Sequence, residues 1–291
     1  KESQCRAMEL GLNNFYLNPL VSVTWLSEQL NNPNLVILDV SLETNVANIE
    51  VEHPNIQIKG ARYFDLKGTF SDLDNSLPNT LPSPEYFEKE TRNLGINNNS
   101  IIVVYDNLGI YASPRVWWMF NAMGHKNIAV LNGGLPLWIK NNYPVEPLQQ
   151  HKIVKGNFTV NYNPNLQKSA SQILENISKK EAIVLDARSE GRFCGQIPET
   201  RENLKSGHIP SSVNLPFLEV LDNGIYLPKE EIKTIFHKLE ITNKPLIYTC
   251  GSGLTACILI LAAELISEKN NYLYDGSWTE WGQLEGVPIQ K

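Results

Sequence analysis

The chain has 291 residues, and at roughly 150 residues per domain that length predicts about two domains. Hydrophobic residues make up 42% and charged residues 19%, a balance that excludes a disordered chain, and the longest apolar run, Ala256–Ala263, is too short to cross a bilayer as a helix, so no membrane partner is expected. The net charge of −6 argues against a partner with a nucleic-acid backbone but leaves room for a small anion in a local pocket of opposite sign.

In chain order the sequence predicts a helix over Thr24–Asn31 and then a strand over Leu35–Val40, whose continuous apolar run fits a strand buried on both faces of a parallel sheet. A helix over Pro84–Leu94, a strand over Ile101–Tyr105, a helix over Pro114–Met123 and a strand over Ile128–Leu131 complete the first half. Ser113 before Pro114 reads as a helix cap and first-turn pair. The next segment, rich in Pro, Asn, Gln and Lys, has little periodicity and reads as a linker. Beyond it lie a helix over Ala170–Ser178, a strand over Ala182–Ala187, a helix over Lys229–Leu239, a strand over Pro245–Thr249 and a helix over Thr255–Ile266. Such alternation is the mark of an α/β fold with a mostly parallel sheet and right-handed crossovers.

The two halves repeat one another. Val36-Ile37-Leu38-Asp39 returns 147 residues later as Ile183-Val184-Leu185-Asp186, and Ile102–Asp106 returns 144 later as Leu246–Cys250. Leu131-Asn132-Gly133-Gly134, ending at Trp138, returns as Leu273-Tyr274-Asp275-Gly276, ending at Trp281, 143 residues on. Three matches in one order at nearly one period predict a duplicated domain: 1–145, a linker over 146–168, and 169–291.

Four cysteines, Cys5, Cys194, Cys250 and Cys257, are too few and too unevenly spaced for a disulfide framework, and no CxxC pair or His-rich tract suggests a metal. A reducing compartment is expected, cytoplasmic, or mitochondrial if a targeting segment was removed. The chain starts at Lys1 without a signal-peptide pattern, so the native start is expected to be missing or processed.

Cys250 stands between an apolar strand and an apolar helix, in the loop Cys250-Gly251-Ser252-Gly253-Leu254. Ligands of open α/β sheets bind outside the carboxyl ends of the strands. A loop of glycine and serine turns backbone N–H groups inward, the next helix adds its positive end, and both stabilise a thiolate. A core cysteine sits inside an element, so this position favours a nucleophile over an inert buried thiol. The first half carries Asp106 at the matching place, which makes that half scaffold. A cysteine phosphatase needs an arginine six residues after its nucleophile; here Ala256 stands there, so phosphatase chemistry is not expected. Ser252 and Thr255 are candidate hydrogen-bond partners of the loop, or helix caps.

A second cluster, Asp186-Ala187-Arg188 with Arg192 and Arg201, follows another second-half strand. Arg192 and Arg201 are nine residues apart and are candidates to hold a carboxylate, against the alternative of surface arginines in a solvated loop. Arg188, nearer the strand, is expected to be structural, paired with Glu190 or a loop carbonyl. His125 and His208 each follow a glycine in a loop and are expected to satisfy backbone groups. Trp117, Trp118, Trp138, Trp278 and Trp281 are expected in packing, Cys257 is expected to be buried, and Cys194 is an oxidisable bystander.

With these residues in view, the chain resembles the two-domain sulfurtransferases of the rhodanese superfamily, from about Val21 to Gly286. Gly60–Asp65, Ser113–Trp118 with Gly124-His125, Asp186-Ala187-Arg188 with Gly191-Arg192-Phe193, Gly207–Pro210, the Cys250–Ala256 loop and Tyr274–Trp281 carry the likeness. Within the superfamily a Cys-Gly-Ser-Gly loop and an arginine at the place of Arg201 go with mercaptopyruvate, whereas thiosulfate enzymes set Arg-Lys after the cysteine. The resemblance implies two tandem α/β domains and transfer of the mercaptopyruvate sulfur through a Cys250 persulfide. By the same resemblance the acceptor is expected to be a thiol such as thioredoxin or glutathione, or cyanide, and no metal or organic cofactor is expected. Arg192 and Arg201 would hold the carboxylate and keto oxygen; Gly251, Gly253, Leu254 and Thr255 would line the substrate, and Ser252 would join in catalysis. Two positions depart from the pattern: the family's first-domain acid and histidine, which form a proton relay with the loop serine, are here Lys67 and Asn79, neither of which reproduces it. Two alternatives stay open: a thiosulfate:cyanide sulfurtransferase, and a non-catalytic sulfur or redox binding module.

Overall fold

Two runs of unbroken apolar sequence, Ile101–Tyr105 and Leu246–Thr249, form the middle strands of two five-stranded sheets, because a strand flanked by neighbours and covered by helices on both faces has no use for a polar side. The computed structural model describes residues 17–241, 244–268 and 270–291. The first half runs β1 (Leu20–Val21), α1 (Val23–Gln29), β2 (Leu35–Asp39), β3 (Ile56–Ile58), β4 (Arg62–Tyr63), α2 (Pro84–Asn93), β5 (Ile101–Tyr105), α3 (Ser113–Ala122), β6 (Ile128–Leu131), α4 (Gly134–Lys140) and β7 (Val145–Pro147). The second runs β8 (Gln167–Lys168), α5 (Ala170–Lys179), β9 (Ile183–Asp186), α6 (Glu190–Phe193), β10 (Val213–Asn214), β11 (Leu221–Asp222), β12 (Ile225–Tyr226), α7 (Lys229–Lys238), β13 (Leu246–Thr249), α8 (Ala256–Leu265), β14 (Asn271–Tyr274) and α9 (Ser277–Trp281).

The sheet orders are β1-β6-β5-β2-β4 and β8-β14-β13-β9-β10, the same order position for position, and every pair within them is parallel. Register equates the halves residue by residue. Asp39 lies beside Tyr105 and Tyr63 in the first sheet, and Asp186 beside Thr249 and Asn214 in the second. The residues that follow β5 and β13, Asp106 and Cys250, are therefore counterparts. Where the sequence reads an irregular connector over 146–168, the chain takes regular structure at both ends: β7 pairs antiparallel with β3, and β8 is the edge strand of the second sheet. The backbone hydrogen bonds on offer at two sheet edges override the weak local pattern. The capping role expected of Ser113 is also corrected: Ala112 is the N-cap, and Ser113 opens α3 with its hydroxyl turned to Asp106.

One apolar core runs through both halves. Buried residues of α3 (Val116, Met119, Phe120) and of α8 (Ile258, Leu261) belong to the same cluster, and the hydrogen bond from Tyr226 N–H to Asn132 Oδ1 (3.0 Å) crosses between the halves. Helix α8 is apolar around its whole circumference and all its residues but Glu264 are buried, as befits a helix between a sheet and another helix. The carboxyl ends of β13 and β9 meet the first half's 41–46 and 67–79 segments, and the site lies there. Among the described residues no helix is long and apolar enough to cross a membrane.

Candidate active site

Cys250 is 1% exposed and sits where β13 gives way to the loop before α8. Its backbone N–H donates to Ser277 Oγ (3.1 Å), whose hydroxyl donates to the Tyr274 carbonyl (2.8 Å). Trp278 and Thr279 N–H donate to the carbonyls of Cys250 and Gly251, 2.9 Å each, and the Thr279 hydroxyl donates to Gly251 O at 2.6 Å. The turn after β14 thus braces the start of the loop. Gly253 has φ +79°, and a Cβ there would lie 2.7 Å from the Asp275 carbonyl oxygen, so the position admits only glycine.

The first half displays what such a loop holds. The Asp106 carboxylate accepts from the N–H groups of Leu108 (3.1 Å), Tyr111 (3.0 Å), Ala112 (3.0 Å) and Ser113 (2.9 Å) and from the Ser113 hydroxyl (2.7 Å). Burial pushes this carboxyl up and the ring of N–H groups pulls it back only in part. The second-half counterparts are Ser252, Thr255, Ala256 and Cys257. The chain path is shared, but the Cys257 N–H donates to the Leu254 carbonyl (3.1 Å), so the second-half loop, headed by a cysteine in place of the aspartate, does not repeat the first half's anion cradle in full.

Arg192, Arg201, Gly251, Ser252, Leu254 and Thr255 share a cavity of about 170 Å³ with Cys250, closed on the first-half side by Leu42, Thr44–Val46, Lys67, Asn79 and Tyr111. Seven of the eight residues singled out from the sequence meet there; Gly253 lies behind the wall, shaping the loop. The two arginines are not equivalent. Glu199, with its side chain 2% exposed, pairs with Arg192 and also with Arg188 (2.7 Å), so Arg192 is held in place and its charge compensated. Arg201 has no carboxylate partner among the described residues; it donates to Thr279 Oγ1 at 3.3 Å, and burial, then Arg192, lower its pKa. A Cβ on Gly251 would stand 3.2 Å from Arg192 Nη2, so the glycine leaves the guanidinium room beside the nucleophile. Arg188 is structural, as expected, but its partners are Asp186, Glu199 and the Gly207 carbonyl (2.8 Å), and it covers the Trp278 ring at 4.3 Å; Glu190 is not among them.

Residues 22–141 and 169–284 each match the rhodanese-like domain. The chain belongs to the rhodanese-like family. It is 38% identical over 272 residues to 3-mercaptopyruvate sulfurtransferase of Mus musculus, covering 90% of this chain and 91% of that one. It is also 38% identical to thiosulfate/3-mercaptopyruvate sulfurtransferase 1, mitochondrial, of Arabidopsis thaliana, covering 94% and 78%. The crystal structure of SseA from Escherichia coli, described as a 3-mercaptopyruvate sulfotransferase, superposes with a TM-score of 0.79 at 32% identity, covering 90% of this chain and 99% of that one. The duplicated α/β architecture read from the sequence is therefore two rhodanese-like domains.

Several parts of this rhodanese-like site escaped the sequence reading. Asn79, read only as a departure from the family relay, donates through Nδ2 to Ser252 Oγ (2.9 Å), so an amide without a titratable proton occupies hydrogen-bonding reach of the serine. Tyr111, 3% exposed, walls the cavity, and burial pushes its phenol up to about 12. Arg115, fully buried on α3, pairs with Asp275 and donates to the carbonyls of Gly253 (3.1 Å) and Asn79 (2.7 Å), tying the first half to the Cys250 loop. Its signals in the sequence are its place in the Ser113–Trp118 motif and its standing as the lone cation of a mostly apolar helix. Thr255 is the N-cap of α8 but makes no side-chain capping bond, and it lines the cavity. His125 and His208 lie against the Ser100 and Phe193 carbonyls at 3.0 and 2.8 Å, in agreement with their structural reading. Cys257 is buried, and burial drives its thiol far up; Cys194 caps α6, half-buried, and Cys5 lies outside the described residues.

Proposed function

We propose that the chain is a 3-mercaptopyruvate sulfurtransferase with Cys250 as nucleophile and a persulfide intermediate. The observation that carries this reading is the placement of Arg192 and Arg201 on the wall of the cavity that holds Cys250, while the loop beside the sulfur offers only uncharged Gly251 and Ser252. A donor with one carboxylate beside a keto group suits one free and one compensated guanidinium. The dianion thiosulfate would want fixed charge next to the sulfur. Neither identity nor fold separates the two donors, since the Arabidopsis relative's name carries both.

The Cys250 thiolate attacks the sulfur of mercaptopyruvate. An S–S bond forms, the C–S bond breaks, and its electron pair leaves on pyruvate as the enolate, which takes a proton to give pyruvate. Arg201, a fixed cation on the cavity wall, faces the charge that develops on the enolate. The persulfide is left in a loop whose counterpart holds the Asp106 carboxylate with four N–H groups. A thiol, or cyanide, then removes the outer sulfur in the second half of a ping-pong cycle. Asn79 donates to Ser252 Oγ and leaves the hydroxyl proton free, so proton delivery to the enolate falls to Ser252 and water. The reaction calls for no metal or organic cofactor. A reducing compartment, cytosol or mitochondrial matrix, keeps such a thiolate competent.

Intact mass after brief exposure to mercaptopyruvate, with pyruvate assayed in parallel with a thiosulfate arm, tests the reading. One added sulfur at Cys250 with pyruvate released is expected, and Cys250→Ser abolishes both without altering the circular dichroism spectrum. Sulfur gained from thiosulfate alone would transfer the assignment to the thiosulfate enzymes, and none from either donor would leave a binding module.

A further inference from the structure

We propose that the cleft beside the Cys250 cavity is the acceptor site, that it takes a thiol bearing a carboxylate close to its sulfur, and that Lys67 sets this preference; the proposal rests on the sulfur-transfer reading above. The cleft encloses about 510 Å³ between the first half's 71–79 loop and the second half's Arg201, Glu202 and Thr279. It is three times the size of the 170 Å³ cavity, and the two share Lys67, Asn79 and Arg201. These residues form the passage between them.

At that passage the polar groups differ in how far they are already committed. Asn79 is spent on Ser252, and Arg201 leans on Thr279. Lys67 is exposed and makes no hydrogen bond or ion pair among the described residues, so its ammonium is available to a ligand. The carboxylates that face the cleft, Asp72 and Glu202, line it beyond the shared residues and do not line the Cys250 cavity. An acceptor with its sulfur at Cys250 thus meets three cations on the cavity wall, Lys67, Arg201 and the Glu199-compensated Arg192, and the anions Asp72 and Glu202 only in the outer cleft. A carboxylate near the thiol is favoured there, and any amino group belongs at the distal end. In the step itself the acceptor loses its thiol proton to water and its thiolate attacks the outer sulfur. The S–S bond to Cys250 breaks with its electron pair returning to Cys250, and the acceptor leaves as a persulfide.

Two pairs of probes, each of similar size and differing in charge, test this on the full chain. Iodoacetate and iodoacetamide alkylate the same sulfur and differ mainly in charge; their rates at Cys250, localised by mass spectrometry, give a ratio that Lys67→Gln lowers about threefold to fivefold at low salt, the size of one exposed ion pair, and that Lys67→Arg retains. Protein charged with one sulfur is then discharged by 3-mercaptopropionate and by 2-mercaptoethanol, and the ratio of those rates falls by the same factor in Lys67→Gln. Ratios that do not move in Lys67→Gln, on protein that has released pyruvate during charging, overturn the acceptor assignment and leave the sulfur-transfer reading standing. Failure to charge from mercaptopyruvate or thiosulfate overturns that reading and the acceptor assignment with it.

Discussion

Removing the Arg115 guanidinium should loosen the joint between the halves and the catalytic loop together. Its side chain and that of Asp275 are 0% and 4% exposed; burial, the largest single effect, pulls the guanidinium pKa down, and the Asp275 carboxylate together with the Cys257 side chain turns the net shift upward. Arg115→Met leaves a buried carboxylate without its cation, a loss of about 3–5 kcal/mol. It also strips a donor from the Gly253 and Asn79 carbonyls, each worth about 1–3 kcal/mol if left unpaired. These overlap, since one group supplies all three bonds, and Asp275 keeps the Leu81 N–H (3.1 Å) and Gln167 Nε2 (3.3 Å). A total of about 4–5 kcal/mol is expected, a large share of the roughly 5–15 kcal/mol that stabilises a typical domain. Urea unfolding followed by tryptophan fluorescence and circular dichroism, on Arg115→Met, Asp275→Asn and the double variant, measures it. The double variant should cost less than the sum of the singles by about 2 kcal/mol, because neither partner is then stranded. A cost for Arg115→Met under about 1 kcal/mol, or simple additivity, would refute the reasoning.

Gly253→Ala combines a left-handed φ with a Cβ pressed on Asp275, so persulfide formation should drop at least tenfold and thermal stability should fall; a variant with wild-type pyruvate burst and melting temperature would show that the loop relaxes freely. Arg201→Gln should lower kcat/KM for mercaptopyruvate by about 10- to 100-fold, equal to one charged hydrogen-bonding partner, whereas equal loss for a donor without a carboxylate would remove its assigned role. His125 is buried and its pKa is lowered from 6.5, chiefly by that burial, against the pull of the Ser100 carbonyl. The folded state therefore favours the neutral ring: the stability tied to it is fully present above pH about 6.5 and is lost as the pH falls from there through the depressed folded value. The urea midpoint should decline between pH 7 and 5 more steeply in the wild type than in His125→Gln, and parallel declines would contradict this.

Local sequence determined the strands β2, β5, β6, β9 and β13, six of the helices, the duplication and the place of the nucleophile, but not β14, the edge strands or the helices α4, α6 and α9. Apolar runs such as Ile101–Tyr105 have one economical solution, burial in a parallel sheet, and a glycine-rich loop between strand and helix can only lie at the sheet's carboxyl edge. Charged residues in a loop, by contrast, show their chemistry in the sequence but not their partners. Arg192 and Arg201 read alike until Glu199 is seen to compensate one of them. Asn79 reads as a lost histidine until its amide is found on Ser252, 173 residues away, and Arg115 as one motif letter until it meets Asp275 across 160 residues. The reason is range. Hydrophobic periodicity is a property of consecutive residues, whereas an ion pair or hydrogen bond between halves exists only once two separately legible sheets have packed, and nothing local records which side chains that packing will bring within 3 Å.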